Sequence, residues 1–459
     1  MSYTDNIALG RLFSRCIAPV CLLALAACFP EAIDPPEVVE HIPEPLPSLS
    51  CTAFIKAGYT DKQSYYPGEK MKVYFDTQGS SELCKLTLYS VTGDSVYSVA
   101  SAMPASTALP PNPSEVGFGF PAAAEFILPE LESGVYLVDN KIPFVVKTRK
   151  PVDLLVVYAS NTANAYAQSG GKSLYSLDQR PPAVSFHRPI SLEPFSTACP
   201  RWFTTLNDFT LGYMADVDMD TAENFDRARV VVIAGHSEYW TLAARRNFDR
   251  FVDAGGDALI LSGNTMWWQV RYSEDKTQLI CYKDVDADPI SDPTLKTINW
   301  SEPLLGYSIL SSIGADFTYG GYGLKSDAGW NGYRITSRNS PMFEGLDIPE
   351  NFVLALPTAE YDGAPILGYD DNGYPILDEA ALQFDKIELL GFDKGFRGQE
   401  TVGTFIVFRK KPGAGIVVNT SSCDWCSGNG MGGRAGSMIK TITYNAMHKL
   451  LNDAEVFSE

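Results

Sequence analysis

The sequence predicts a two-part fold. A small antiparallel β-sandwich of immunoglobulin-like type spans residues 51–149, and an α/β domain with a mostly parallel sheet spans residues 150–459. Three observations carry this. Residues 71–75 (MKVYF) and 85–89 (KLTLY) alternate in the β manner, with turns at Pro67-Gly68, Gly79-Ser80 and Thr92-Gly93-Asp94. Residues 153–158 (DLLVVY), 229–234 (RVVVIA), 258–262 (ALILS) and 415–419 (GIVVN) are continuously apolar, as suits strands covered on both faces. Trp240, Ala244, Phe248, Phe251 and Val252 recur at helical spacing, and Ala254-Gly255-Gly256 stops that helix. Strand, helix and strand then make a βαβ unit of doubly wound type.

The chain opens with an export signal. Arg11 and Arg15 precede an apolar run, 16–27 (CIAPVCLLALAA), too short for a membrane span of about 20 residues. Residues 1–27 therefore read as a signal peptide. Leu25-Ala26-Ala27-Cys28 looks like a bacterial lipobox, with a lipid anchor on Cys28. Phe29 in place of Asp favours the outer membrane, so the expected location is the bacterial cell envelope. Residues 28–50, rich in Pro and Glu, form a semi-rigid linker.

The formal charge is −19, and without Arg11, Arg15 and Asp5 it becomes 34 − 54 = −20. Such an acidic surface repels phosphate backbones and excludes nucleic acid as a partner. Cys16 and Cys21 leave with the signal peptide and Cys28 carries the lipid. Six cysteines remain, an even number that suggests disulfides, with 15 connectivities open. Cys51 with Cys84 is attractive because both fall in the sandwich. The Cys423-x-x-Cys426 pair suits a local disulfide better than a redox motif or half a zinc site.

Polar residues gather where the apolar runs end. Gly235-His236-Ser237-Glu238-Tyr239-Trp240 follows the run 229–234, at the carboxyl edge where open α/β sheets bind ligands. A helix-capping turn explains Glu238 equally well. Asn161 to Tyr166, continuing to Gly170-Gly171-Lys172-Ser173-Leu174-Tyr175, follows the run 153–158. Ser262-Gly263-Asn264-Thr265 follows the run 258–262. Residues from roughly 266 to 400, rich in Gly, Tyr and Asp, read as long insertions that shape a site. No nucleophile elbow, phosphate loop or HExxH motif is present.

With Ser133-Gly134-Val135-Tyr136, Ala165-Tyr166, Val184-Ser185-Phe186-His187-Arg188-Pro189, GHSEYW and Gly263-Asn264-Thr265, the sequence resembles the N,N-dimethylformamidase large-subunit family over about residues 51–456. The resemblance implies an α/β domain similar to class I glutamine amidotransferases without their Cys. It also implies a mononuclear Fe3+ held by Tyr136, Tyr166 and Glu238, with His236, Asn264 and Glu360 as pocket residues. Fe(III) prefers anionic oxygen donors, and the ion would act as a Lewis acid on an amide. Ser237 and His187 stand where the family usually has Asp. The implied activity is hydrolysis of an amide C–N bond in a small molecule. A homo-oligomer is compatible with the sequence. The rival reading is a non-catalytic surface module that binds glycan or protein through the sandwich and residues 317–322 (FTYGGY).

Overall fold

The structure, a computed structural model, describes residues 45–458. The expected signal peptide, Cys28 with its lipid and the linker as far as residue 44 lie outside the described residues. Residues Leu46–Glu459 form one compact unit. No helix among the described residues is long and apolar enough to cross a membrane.

Eight strands come first: β1 (Ala57–Thr60), β2 (Ser64–Tyr65), β3 (Lys70–Asp76), β4 (Gln78–Ser90), β5 (Ser95–Ala105), β6 (Ala122–Ile127), β7 (Gly134–Val138) and β8 (Ile142–Val146). They make two sheets, β1-β3-β6 and β2-β8-β7-β4-β5. In β3, Met71, Val73 and Phe75 point inward while Lys70 and Lys72 do not, the period of two that a half-buried strand requires. Val73, Phe75 and Phe126 from one sheet share a core with Leu86, Leu88 and Phe144 from the other. A Cys51–Cys84 disulfide ties the first turn to β4.

Eight more strands lead into the second part: β9 (Val152–Tyr158), β10 (Ala183–Ser185), β11 (Leu211–Ala215), β12 (Ala228–Gly235), β13 (Tyr239–Thr241), β14 (Asp257–Ser262), β15 (Trp268–Tyr272) and β16 (Gln278–Ile280). The last eight are β17 (Gly332–Ile335), β18 (Val353–Ala355), β19 (Tyr361–Gly363), β20 (Ile366–Tyr369), β21 (Pro375–Leu377), β22 (Lys386–Phe396), β23 (Glu400–Arg409) and β24 (Ile416–Asn419). Nine of these strands form one sheet, in the order β11-β9-β12-β14-β24-β23-β22-β17-β18.

This sheet corrects the expected fold class. Four of its eight pairings are parallel, those from β11 to β24. The other four are antiparallel. Across the molecule strand outweighs helix and the sheets are mixed or antiparallel, so this is not a mostly parallel, amidotransferase-like α/β domain. The difference comes from residues 266–400, which are not loose insertions. They include β17, β18 and the long β22, and β22 pairs antiparallel with β23, which follows at once.

Both faces of the parallel half are covered. The helix Gly436–Leu451 packs Ile439, Ile442, Ala446 and Leu450 on the side of Val156, Val232 and Leu259. The helix Leu242–Asp253 packs Ala244, Phe248 and Val252 against Leu155, Val231 and Ile260. Full burial of each such aliphatic or aromatic side chain contributes about 1.5–3 kcal/mol. Thr241 caps the second helix by accepting from Ala244 N at 3.0 Å.

The turn after β14 is packed against backbone on two sides. A Cβ at Gly263 would run into Cys423 N and lie 2.6 Å from Glu360 O. Neither can rotate away. Gly263→Ala is therefore expected to lower stability by about 1–3 kcal/mol. Urea denaturation measures this, and an unchanged midpoint would show that the turn has room to spare.

Candidate functional site

Three parallel strands deliver their ends to one place. β9 runs into the helix Ser160–Tyr166, which ends at Tyr166. β12 ends at Gly235 and is followed by His236 and Glu238. β14 ends at Ser262 and is followed by Asn264 in a left-handed conformation, φ 50°. The turns are cross-tied. Glu238 N donates to Thr162 Oγ1 at 2.9 Å, and Ser237 N donates to Ser262 Oγ at 3.1 Å.

The side chains converge accordingly. His236 Nε2 lies 3.2 Å from Glu360 Oε2 and 3.6 Å from Glu238 Oε2. These are ion-pair distances without hydrogen-bond alignment, and His236 Nε2 has no hydrogen-bond partner. Asn264 Nδ2 donates to Glu360 Oε2 at 2.9 Å. Tyr166 stacks on Tyr175, ring centres 4.2 Å apart, and its ring stands 5.4 Å from that of His236. The Tyr175 hydroxyl donates a short hydrogen bond to Glu238 Oε1. Glu238 Oε2 and Asn264 Oδ1 are buried without a partner.

Tyr136 is not part of this group. It lies on β7, its ring stacked on Phe144 at 5.8 Å, and its hydroxyl donates to Glu132 O at 2.8 Å. Burial there pushes its phenol up to about 12. His187 is also remote in role: its ring stacks on Tyr59 at 5.5 Å, where the sandwich meets the second part. Tyr175 takes the place expected of Tyr136. The sequence offered it inside Gly170-Gly171-Lys172-Ser173-Leu174-Tyr175, but as a loop tyrosine with nothing to mark it as a partner of Glu238.

Two further residues carried no sequence signal. Glu193 is buried, accepts from Ser196 Oγ at 2.6 Å and from Phe195 N at 3.0 Å, and faces His236 electrostatically. Lys283 places its ammonium 3.8 Å from the centre of the Tyr175 ring and donates to the Tyr239 hydroxyl at 2.7 Å. Arg188 holds the tyrosine loop together. Its guanidinium, fully buried, donates to Asn164 Oδ1 and to the carbonyls of Ser185, Ser169, Lys172 and Asn164.

The charges are strongly coupled. Burial acts to lower the His236 imidazolium, but the carboxylates of Glu360, Glu238 and Glu193 outweigh it and hold its pKa at about 9. Burial raises the Glu238 carboxyl, against the pull of His236 and Lys283. In Glu360 burial is overcome by His236, and the carboxyl falls below its usual range. Burial, then the Glu238 carboxylate, push the phenols of Tyr166 and Tyr175 above their ordinary value. Burial holds Lys283 below its usual range.

The cluster opens into a cavity of about 700 Å³. His236, Tyr166 and Phe195 line it on one side, and Leu137, Asn140 and Ile142 of the sandwich line it on the other. Among the described residues no three His, Cys, Asp or Glu side chains are grouped to hold a metal ion by themselves. A set that includes the two phenols does fit a hard cation. Tyr175 bonds Glu238, Tyr166 stacks on Tyr175 and is coupled electrostatically to the same carboxylate, and the second oxygen of Glu238 lacks any partner.

Comparison with known proteins bears on the same residues. The family model described as N,N-dimethylformamidase beta subunit-like, C-terminal, matches residues 93–433, a span that includes every site residue named above. No curated protein matches significantly. Among solved structures, a ThuA-like protein from Bacteroides uniformis shares 13% identity, covering 66% of this chain and 93% of its own. Its TM-score of 0.34 is too low to support an argument.

The charge coupling sets a measurable titration. In metal-free protein the His236 imidazole should titrate near pH 9, and Glu360→Gln should bring that midpoint down toward 6.5. With four histidines in the chain, NMR of ring-labelled protein can follow it. A wild-type midpoint near 6.5 would sink the pairing. The stabilisation follows the same sign: it is complete below the unfolded value of about 6.5 and is lost as pH rises through about 9.

Proposed function

The chain belongs to the N,N-dimethylformamidase beta subunit-like, C-terminal family, and from that premise we propose that it is an iron-dependent hydrolase of an amide C–N bond. The observation that supports this most is the grouping of two phenols with one buried carboxylate: Tyr175 bonds Glu238 Oε1, Tyr166 stacks on Tyr175 and feels the same carboxylate, and Glu238 Oε2 has no partner. Tyr166, Tyr175 and Glu238 would hold the ion, with Tyr175 in the role first expected of Tyr136.

The donor set selects for charge. A free phenol has a pKa of about 10, and both phenols here are held higher. They would yield their protons only to a strongly charged cation, and Fe3+ suits three anionic oxygens better than a softer divalent ion does. Bound there, Fe3+ would supply Lewis acidity toward an amide carbonyl and water.

The protein residues handle position and protons. Hydrolysis joins a water oxygen to the carbonyl carbon, breaks the C–N bond and passes a proton to the leaving nitrogen. His236 is the group placed to carry that proton, with Glu360 orienting the imidazole and Asn264 holding Glu360. The Phe195 ring, edge-on to His236 at 5.4 Å, covers the imidazole. The cavity is within the size range of small-molecule sites, so the substrate class is a small-molecule amide. We place the protein on the cell envelope, held by a lipid on Cys28.

The surface-module reading has less support. Within 317–322, Phe317 is buried against Trp267 at 5.3 Å, and Tyr322 stands edge-on to Phe317 at 5.2 Å. Phe317 is buried and Tyr322 half-buried, which leaves Tyr319 as the exposed aromatic of that stretch.

Iron analysis of the chain without its signal peptide tests the proposal. About one iron per chain and a visible tyrosinate charge-transfer band are expected. Glu238→Ala and Tyr175→Phe should lose both, and Tyr136→Phe should keep both. His236→Ala should keep the band and the fold but lose about 10²–10⁴-fold in amide turnover. Colourless, iron-free protein from iron-replete cells would overturn the assignment. A coloured Glu238→Ala beside a metal-free His236→Ala would reverse the two roles.

A further inference from the structure

We propose that Cys199 and Cys426 form a second disulfide, which ties together two segments that flank His236. Their sulfurs lie 2.6 Å apart, both fully buried. That is inside the contact separation of two unbonded sulfurs and about half an ångström from bonding distance. The backbone already holds them together, since Ala198 N donates to Cys426 O at 3.0 Å. Bond formation asks the sulfurs to close about half an ångström.

The other thiols have different neighbours. Cys423 Sγ lies 3.6 Å from Asp424 Oδ2, so the CxxC pair expected from sequence is not the local match. Cys281 faces the carbonyls of Gln269 and Thr297. The Cys51–Cys84 bond is of the kind that forms in an oxidising compartment, where a matched thiol pair does not stay reduced.

A soft metal is the competing occupant, because Met431 Sδ lies 3.6 Å from Cys199 Sγ. Two thiolates and a thioether suit Cu(I). However, sulfurs that share one ion are held apart by a metal–sulfur bond on either side, about 2.3 Å each where the ion is zinc. A 2.6 Å separation favours the covalent bond.

Both thiols are inaccessible once the helix Ala198–Phe203 has docked, so the bond forms during folding. One thiolate attacks a disulfide-bearing protein oxidant and gives a mixed disulfide. The second thiolate displaces the oxidant, which leaves as a dithiol carrying the two electrons and two protons. The bond would bear on the site through two segments beside His236. Cys199 follows the Glu193–Ser196 turn that faces His236. Cys426 follows Cys423, whose N donates to Glu360 O at 3.2 Å.

The test is peptide mapping of the full chain, in a preparation whose Cys51–Cys84 link is complete. The protein is unfolded without reductant in excess alkylating agent, then digested. A Cys199–Cys426 peptide, two hydrogens lighter than its parts, is expected, with Cys281 and Cys423 alkylated. Both Cys199 and Cys426 carrying the label would overturn the proposal. So would a Cys423–Cys426 link, or bound copper with both thiols free. In Cys426→Ser, Cys199 should become labelled, and its capture by another cysteine would also count against the pair.

Discussion

Three parallel strands end side by side, and the rest of the site hangs from that register. Ala234 of β12 pairs with Tyr158 of β9, and Gly235 pairs with Ser262 of β14. The chain therefore leaves the sheet at three neighbouring points. A slip of one residue would turn Val231 and Ile233 to the opposite face and separate these exits. The buried valines and isoleucines on both faces make that slip costly. The exits are tight enough to constrain the backbone. Gly235 adopts φ +88°, and a Cβ there would run into Ser196 Oγ and lie 2.8 Å from Glu193 Oε2.

Two buried charged groups show how structural and functional burial differ. Arg188 is buried and satisfied, its donors spent on one side-chain amide and four backbone carbonyls. It carries a charge into the interior, yet leaves nothing unpaired. The cluster around Glu238 does the reverse. Three carboxylates and two phenols crowd together with His236 and Lys283 as counter-charges, and Glu238 Oε2 still lacks a partner. An unpaired buried carboxylate oxygen costs stability. Its retention makes sense where something else completes the set.

Much of the frame was legible because its signal is local. The runs 153–158, 229–234, 258–262 and 415–419 became β9, β12, β14 and β24, since continuous apolar stretches leave few alternatives. The structure brings His236, Glu238, Asn264 and Glu360 together, and for the first three the strand-end positions made that grouping legible. The antiparallel half was not legible. β22 carries Gly391 and Asp393 and shifts register between Leu389 and Gly391, so no simple period marks it. Tyr136 and Tyr175 show the limit at side-chain level. A strand tyrosine and a loop tyrosine read alike until folding shows which of them meets Glu238. Cys423 and Cys426 are neighbours in sequence, but the sulfur that meets Cys426 belongs to Cys199.

The sandwich is a wall of the cavity, and this bears on what the site can accept. Gly58 of β1 lies so close to β8 that a Cβ would stand 2.5 Å from Ile142 Cδ1. The β7–β8 hairpin then presents Leu137, Asn140 and Ile142 toward the space shared with Phe195 and His236. Two lysines line the same space, but neither ammonium is free. Lys141 donates to the carbonyls of Thr52 and Ile55, and Lys56 donates to Ser106 Oγ beside Asp76. The sandwich side therefore offers apolar surface and an amide but little unspent positive charge. A carboxylate arriving there would lose its hydration without a cation to replace it, whereas a neutral amide loses much less. For the proposed amide hydrolase, the strand ends would serve the chemistry and this wall would act on the choice of substrate, a division of labour to be expected where one fold serves many sites.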